Sequence, residues 1–162
     1  MFGFTRSNLF RALALGVVAG MRSQMPGAML ALRQPDAPRS AGWRSWPILR
    51  NTWGRRSLML SGAGELIGDK LPNIPPRTSP GSLTGRLMFG ALAGLAIGSE
   101  GRGKAALIKG AVAGMIGAAI GSFGGYRARK ALVNMTGLPD PAVAVVEDLA
   151  AVTLANRAIQ RR

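Results

Sequence analysis

Two carboxylates and an amine interrupt a stretch of the chain that is otherwise apolar. Glu65, Asp69 and Lys70 follow an apolar run that begins near Ser57. Glu65 and Asp69 are four residues apart, so a helix places both carboxylates on one face. Charges within an apolar helix are costly and are retained where they are paired, hydrated or functional. The spacing predicts a polar site whose carboxylates bind a cation or exchange a proton.

Three more charged residues fall within other apolar segments. Arg22 interrupts the first segment, and Glu147 and Asp148 interrupt the last. Because these two acids are adjacent, they point about 100° apart on a helix. At most one of the two can therefore point toward the core. One hypothesis is that carboxylates from separate helices converge on a cation or a titrating proton. Oxygen ligands suit Mg²⁺, Ca²⁺ or Mn²⁺, although the residues do not specify a metal. The alternative is a structural clamp, in which Arg22 or Lys70 neutralises the acids.

Arg77 and Thr78 follow a pair of prolines shortly after this charged stretch. A guanidinium beside a hydroxyl binds phosphate well, so these two residues form a candidate contact for an anionic lipid headgroup. A capped polar loop is the alternative explanation of the same residues, and the sequence favours it.

Glycines recur every third or fourth residue in two apolar segments that follow. Such spacing makes a smooth stripe on a helix and allows another helix to approach closely. A short polar turn at residues 99–104 separates the two segments, which predicts an antiparallel helical hairpin over about residues 83–126. The stripes also favour a homo-oligomer. The predicted packing residues are Gly90, Gly94, Gly98, Gly110, Gly114, Gly117, Gly121 and Gly125.

Three further apolar segments complete the predicted fold. The first, residues 9–32, contains Pro26, which predicts a break at residues 22–26. The others are residues 57–71 and 141–159. We therefore expect a single all-α domain over residues 1–162, a polytopic membrane protein with four or five membrane segments.

The loop at residues 33–56 contains six arginines and all three tryptophans, Trp43, Trp46 and Trp53. Arginine and tryptophan together are typical of a membrane interface, where the indole has an apolar body and a polar N–H. If each of five segments crosses once, the positive-inside rule predicts an external N-terminus and a cytoplasmic C-terminus. Re-entrant first or second segments remain open.

Composition narrows the classes of function. The 162 residues carry a net charge of +14, with 23 glycines and neither cysteine nor histidine. This excludes disulfides, Cys/His zinc sites and the usual base of a serine hydrolase. The charge suits nucleic acid or anionic membranes, and the membrane interpretation is favoured because the charges lie mainly between apolar runs. The basic, apolar N-terminus is similar to a signal peptide, but it lacks a small-residue cleavage site, so we expect it to be retained.

Several of these motifs together resemble a family of small, uncharacterised bacterial integral membrane proteins. The matching stretches are residues 19–26 (AGMRSQMP), residues 64–80 (GELIGDKLPNIPPRTSP), Gly124 to Tyr126 with Arg129, and Pro139 to Pro141 with Glu147 and Asp148. The resemblance covers most of the chain outside residues 33–56. It implies an all-helical membrane protein and transfers no activity.

We expect a multi-pass protein of the bacterial inner membrane whose first candidate function is transport. In this hypothesis a small transporter or channel uses its intramembrane carboxylates to move a cation or proton. The alternative is a non-transporting scaffold or assembly protein with its charges as clamps. No catalytic motif indicates an enzyme, no cofactor is expected, and the expected partners are the lipid bilayer and further copies of the chain rather than nucleic acid.

Overall fold

The computed structural model describes residues 3–68, 79–137 and 139–160. Within these ranges the chain forms helices and no strand, which confirms the predicted all-α class. The predicted site residues Asp69, Lys70, Arg77 and Thr78 lie outside the described residues. The helices are α1 (Arg6–Met21), α2 (Met25–Arg33), α3 (Pro47–Arg50), α4 (Thr52–Gly68), α5 (Pro80–Gly98), α6 (Lys104–Thr136) and α7 (Asp140–Ile159), with a 3₁₀ turn at Gly42–Ser45 before α3.

Local sequence explains where several helices begin and end. The Thr5 hydroxyl accepts a hydrogen bond from the Asn8 amide at 3.2 Å and caps the start of α1. Pro26 lies in the first turn of α2 and Pro80 in that of α5, where the missing amide proton costs no helical bond. Gly137 ends α6 with φ of 66°, a left-handed conformation that favours glycine.

Helices α1, α5 and α6 form the tightly packed centre of the molecule. A Cβ atom added to Gly94 would meet the backbone of Gly110, and one added to Gly16 would meet the backbone of Gly114. These contacts pair α5 with α6 as an antiparallel hairpin and place α1 parallel to α6. Small residues let the backbones touch, so the centre contains few large side chains.

The first predicted segment doubles back on itself. Helix α1 begins beside the α5–α6 turn, where Arg11 contacts Glu100. Helix α2 then returns to the same side, where its last residue, Arg33, lines a small cavity together with Ile159. We name this side of the bundle the Glu100 end. Arg11 also donates to the carbonyl of Ala158, so α1 begins and α7 finishes there. Residues 9–32 turn back at residues 22–24, as a re-entrant first segment would. The predicted external N-terminus and cytoplasmic C-terminus stay a prediction.

Helix α6 is longer than the sequence indicated. The predicted hairpin ended near residue 126, but α6 continues past Arg127, Arg129 and Lys130 to Thr136, over 33 residues in all. Arginine and lysine are good helix formers, and the next strong breaker is Gly137.

Two described helices are long and apolar enough to cross a membrane. They are α5 with 19 residues and α6 with 33 residues. Both expose large apolar side chains, such as Met88 of α5 and Ile108 of α6, which are 62% and 63% exposed.

The three tryptophans occupy different environments. Trp53 is 74% exposed and carries the Arg56 guanidinium 5.4 Å from its ring centroid, an arrangement typical of an interface. Trp43 is only 1% exposed and donates to Glu100 at 3.1 Å. The expectation that all three share an interfacial belt therefore fails at Trp43, whose N–H is satisfied inside the protein.

Candidate functional site

The site forms where the chain passes from α1 to α2. Arg22 leaves the helical conformation with φ of −140° and ψ of 104°, and α2 starts at Met25. A break exposes carbonyls at the end of one helix and amide protons at the start of the next, and buried groups of this kind need partners. Three neighbouring helices supply side chains to them.

Glu65, from α4, binds the start of α2. One of its oxygens accepts from the Ser23 amide and hydroxyl, both at 2.7 Å, and the other accepts from the Gln24 amide at 2.7 Å. The positive end of a helix dipole favours a carboxylate in this position. Glu65 is therefore held by three donors from the residues it caps.

Arg86, from α5, binds the end of α1. Its guanidinium donates to the carbonyls of Gly20 at 2.9 Å and Met21 at 3.0 Å. The Ser122 hydroxyl of α6 also contacts the Gly20 carbonyl, at 3.3 Å, and lies closer, at 2.8 Å, to the Ala118 carbonyl of its own helix. A cation at the negative end of a helix complements the carbonyl dipoles. The two ends of the break are thus bound by groups of the matching sign.

Arg22 itself binds α7. Its side chain is 1% exposed, and its Nε lies 2.6 Å from Oδ1 of Asp148. The adjacent Glu147 faces another arginine, with Oε2 3.8 Å from Nη1 of Arg129 on α6. The two neighbouring acids point in different directions, as the helical geometry requires.

We name Arg22, Glu65, Arg86 and Asp148 the break cluster. Three of the predicted site residues, Arg22, Glu65 and Asp148, meet there, whereas Glu147 pairs with Arg129 instead. Sequence reasoning missed Arg86, which is 6% exposed. The sequence feature that could have revealed it is that Arg86 is the lone arginine of α5, a glycine-striped helix that we had assigned only to packing.

A second buried ion pair lies at the Glu100 end. Arg11 and Glu100 form a two-point contact of 2.6 and 3.0 Å, with side chains 10% and 3% exposed. Trp43 donates to the same carboxylate, and Arg11 also donates to the Ala158 carbonyl at 2.6 Å. Arg11 lies eleven residues before Arg22, so the two sites are about 16 Å apart along α1. The sequence signal for this pair was Arg11, the one charge within residues 9–21.

The chemistry available at the break cluster is set by these contacts. Glu65 accepts from three donors, and Asp148 is neutralised by an arginine. Among the described residues, no three acidic side chains converge in a way that could hold a metal ion. The described contacts therefore hold helix ends together and offer a cation no ready ligand set.

The glycine stripes pack within the chain. A Cβ atom added at any of seven of the eight predicted positions would meet a neighbouring helix, namely Gly90, Gly94, Gly98, Gly110, Gly114, Gly117 and Gly121. Gly125 also lies in α6. Because these surfaces are already occupied, they give no support to a homo-oligomer, which stays a prediction.

Comparison of the chain with protein-family models finds no match, and neither do the comparisons with curated proteins and with solved structures.

Proposed function

We propose that the chain is a multi-pass protein of the bacterial inner membrane. The distribution of side-chain size supports this proposal. Glycine and alanine fill the contacts among α1, α5 and α6, whereas Ile108, Ile116 and Ile120 point outward. A water-soluble protein buries its large apolar side chains, and a membrane protein exposes them to lipid.

The distribution of basic residues in the described part of the chain supports one orientation. Most of the described basic residues belong to the Glu100 end: Arg6, Arg11, the six arginines of residues 33–56, Arg102, Lys104, Lys109 and Arg157. Fewer lie toward the other end: Arg22, Arg86, Arg127, Arg129 and Lys130. Under the positive-inside rule, the Glu100 end faces the cytoplasm. In this orientation α1 and α2 form a re-entrant hairpin, while α4, α5, α6 and α7 cross the membrane.

Of the functions that the sequence leaves open, a non-transporting scaffold or assembly protein fits the described contacts best. One observation carries this proposal: Glu65 and Asp148 are already bound to the backbone of α2 and to Arg22. A cation would have to displace these donors. Paired buried charges of this kind hold two broken helices in register, and removing one partner is costly.

Transport of a cation or proton is the second candidate. It is favoured by the meeting of two half-helix ends deep in the bundle, an arrangement that transporters use for substrate and ion sites. The predicted residues Asp69 and Lys70 belong to this hypothesis and lie outside the described residues.

Fractionation tests the membrane placement, and ion flux separates the two functions. Recovery of the chain from a cell lysate without detergent would overturn the membrane proposal. The purified protein is then placed in liposomes, and currents are recorded after jumps in pH and in monovalent and divalent cations. The scaffold proposal predicts no current that depends on Glu65. A wild-type current lost in a folded Glu65→Gln variant would establish transport instead.

A further inference from the structure

A cleft rich in arginine lies at the Glu100 end, outside both ion-pair clusters. Its volume is about 450 Å³, and its polar lining consists of Gln34, Arg39, Arg44, Ser45 and Arg50. We name it the arginine cleft. It is formed by the segment between α2 and α4, and the backbone of Gly42 holds this segment against Ser99 in the α5–α6 turn.

The cleft presents donors and positive charge. No acidic side chain lines it among the described residues. Arg44 is oriented by a hydrogen bond of 2.6 Å to the Ala37 carbonyl. The Gln34 side-chain oxygen accepts from Arg55 at 2.7 Å, which leaves the Gln34 amide nitrogen as a donor.

The cleft's remaining acceptors are mostly engaged. The Gly42 carbonyl accepts from the Ser45 hydroxyl at 2.7 Å, and the Ala41 carbonyl accepts from the Arg44 amide at 3.0 Å. Arg39 and Arg50 are exposed and form no ion pair within the described part of the chain. Three guanidinium groups around one cavity match the oxygens of a phosphate group, which arginine binds through two parallel hydrogen bonds.

The surface beside the cleft favours a lipid as the source of that phosphate. Ile48 lies two residues before Arg50 and is 47% exposed, and the exposed Trp53 lies three residues after it. Apolar and indole groups beside arginines are suited to the boundary between headgroups and acyl chains. In the orientation proposed above, this end also faces the leaflet surface that attracts basic segments.

We propose that the arginine cleft binds the phosphate of an anionic phospholipid headgroup on the cytoplasmic side of the membrane. This inference rests on the membrane placement proposed above. It assigns a ligand to residues that neither the scaffold nor the transport hypothesis uses.

Native mass spectrometry of the full chain in detergent tests this assignment. The probes are dioleoylphosphatidylglycerol, its zwitterionic counterpart dioleoylphosphatidylcholine, and inorganic phosphate as a competitor. The test variant is Arg39→Gln with Arg50→Gln. The matched control is Arg102→Gln with Lys104→Gln, which removes two exposed charges at the same end but outside the cleft.

We expect wild type and control to prefer the anionic lipid, and the cleft variant to bind it at least about tenfold more weakly, because two charge-assisted hydrogen bonds are lost. Equal weakening in both variants would overturn the proposal by showing that only overall charge matters. Equal binding of the two lipids, or no lipid binding, would also overturn it. Displacement of the lipid by inorganic phosphate at equal concentration would assign the cleft to a soluble anion. Recovery of the chain from a lysate without detergent is a separate result. It would overturn the membrane placement, whatever the lipid-binding measurements show.

Discussion

Glu65 shows how one side chain can resolve a break in a helix. Its two oxygens accept from the Ser23 amide and hydroxyl and from the Gln24 amide. A carboxylate is suited to this task because both of its oxygens are acceptors. Arg86 performs the complementary task for the carbonyls of Gly20 and Met21. The cost of interrupting the helix is offset by two side chains from other helices.

Substitution of Glu65 tests this role. Glu65→Gln replaces one acceptor oxygen with an amide donor, so a donor from Ser23 or Gln24 loses its partner. We expect the free energy of unfolding to fall by about 1–3 kcal/mol, the usual cost of a buried unsatisfied polar group. Thermal unfolding in detergent measures the change. The control is Asp36→Asn, the same chemical change at an exposed carboxylate, which should leave the melting temperature nearly unchanged. An equal effect of both variants would contradict the capping role.

The packing of α1, α5 and α6 depends on the absence of side chains at specific turns. A Cβ atom on Gly114 would meet the carbonyl of Gly90 and the backbone of Gly94. The same addition on Gly124, ten residues along α6, would meet nothing within 4 Å. One helix therefore offers both a tightly packed glycine and an open one.

These two glycines give a matched pair of variants. Gly114→Ala forces backbones apart, and we expect a loss of about 1–3 kcal/mol of stability. Gly124→Ala should cost nothing and raise helix stability by up to about 1 kcal/mol, because alanine is the better helix former. Chemical unfolding in mixed micelles compares them. Equal tolerance of both substitutions would show that the three helices are packed less closely than described.

In the whole molecule, the start of α1 and the end of α7 both lie at the Glu100 end of the bundle. Arg11 is bonded to the Ala158 carbonyl and to Glu100 in the α5–α6 turn. In the membrane placement proposed above, α1 and α2 turn back together, which makes the number of full crossings even. The same placement puts most of the described basic residues at one end, in agreement with the positive-inside rule.

Single-cysteine labelling tests this topology, since the natural sequence contains no cysteine. Ser7→Cys and Gln160→Cys should react with a membrane-impermeant maleimide from the same side. Met135→Cys, on an 83% exposed residue near the far end of α6, should react from the opposite side. Inside-out and right-side-out vesicles provide the comparison. Labelling of residues 7 and 160 from opposite sides would restore the five-crossing topology.

Periodicity and breakers predicted the all-α class and the main apolar helices, because helix formation depends largely on local sequence. They missed α3, the start of α4 and the C-terminal extension of α6. The glycine spacing predicted a hairpin over residues 83–126, and Pro26 predicted an interruption that lies at residues 22–24. The local sequence could not show that α2 turns back beside α1. The direction of α2 depends on contacts of residues 22–23 with α4 and α7, which lie far along the sequence. For the same reason, Arg22, Glu65 and Asp148 could be proposed as partners, whereas the partners of Arg11 and Arg86 could not be assigned from sequence.

The most direct test of the structural-clamp hypothesis is a double-mutant cycle on Arg22 and Asp148, read as the free energy of unfolding of the whole protein. The variants are Arg22→Gln, Asp148→Asn and the two combined. Each single change breaks the buried ion pair between Arg22 and Asp148 and should cost about 3–5 kcal/mol. The combined change should cost less than the sum of the two by about 1–3 kcal/mol. Single changes that add to within about 0.5 kcal/mol would show that the pair does not hold α7 to the break, and would contradict the clamp.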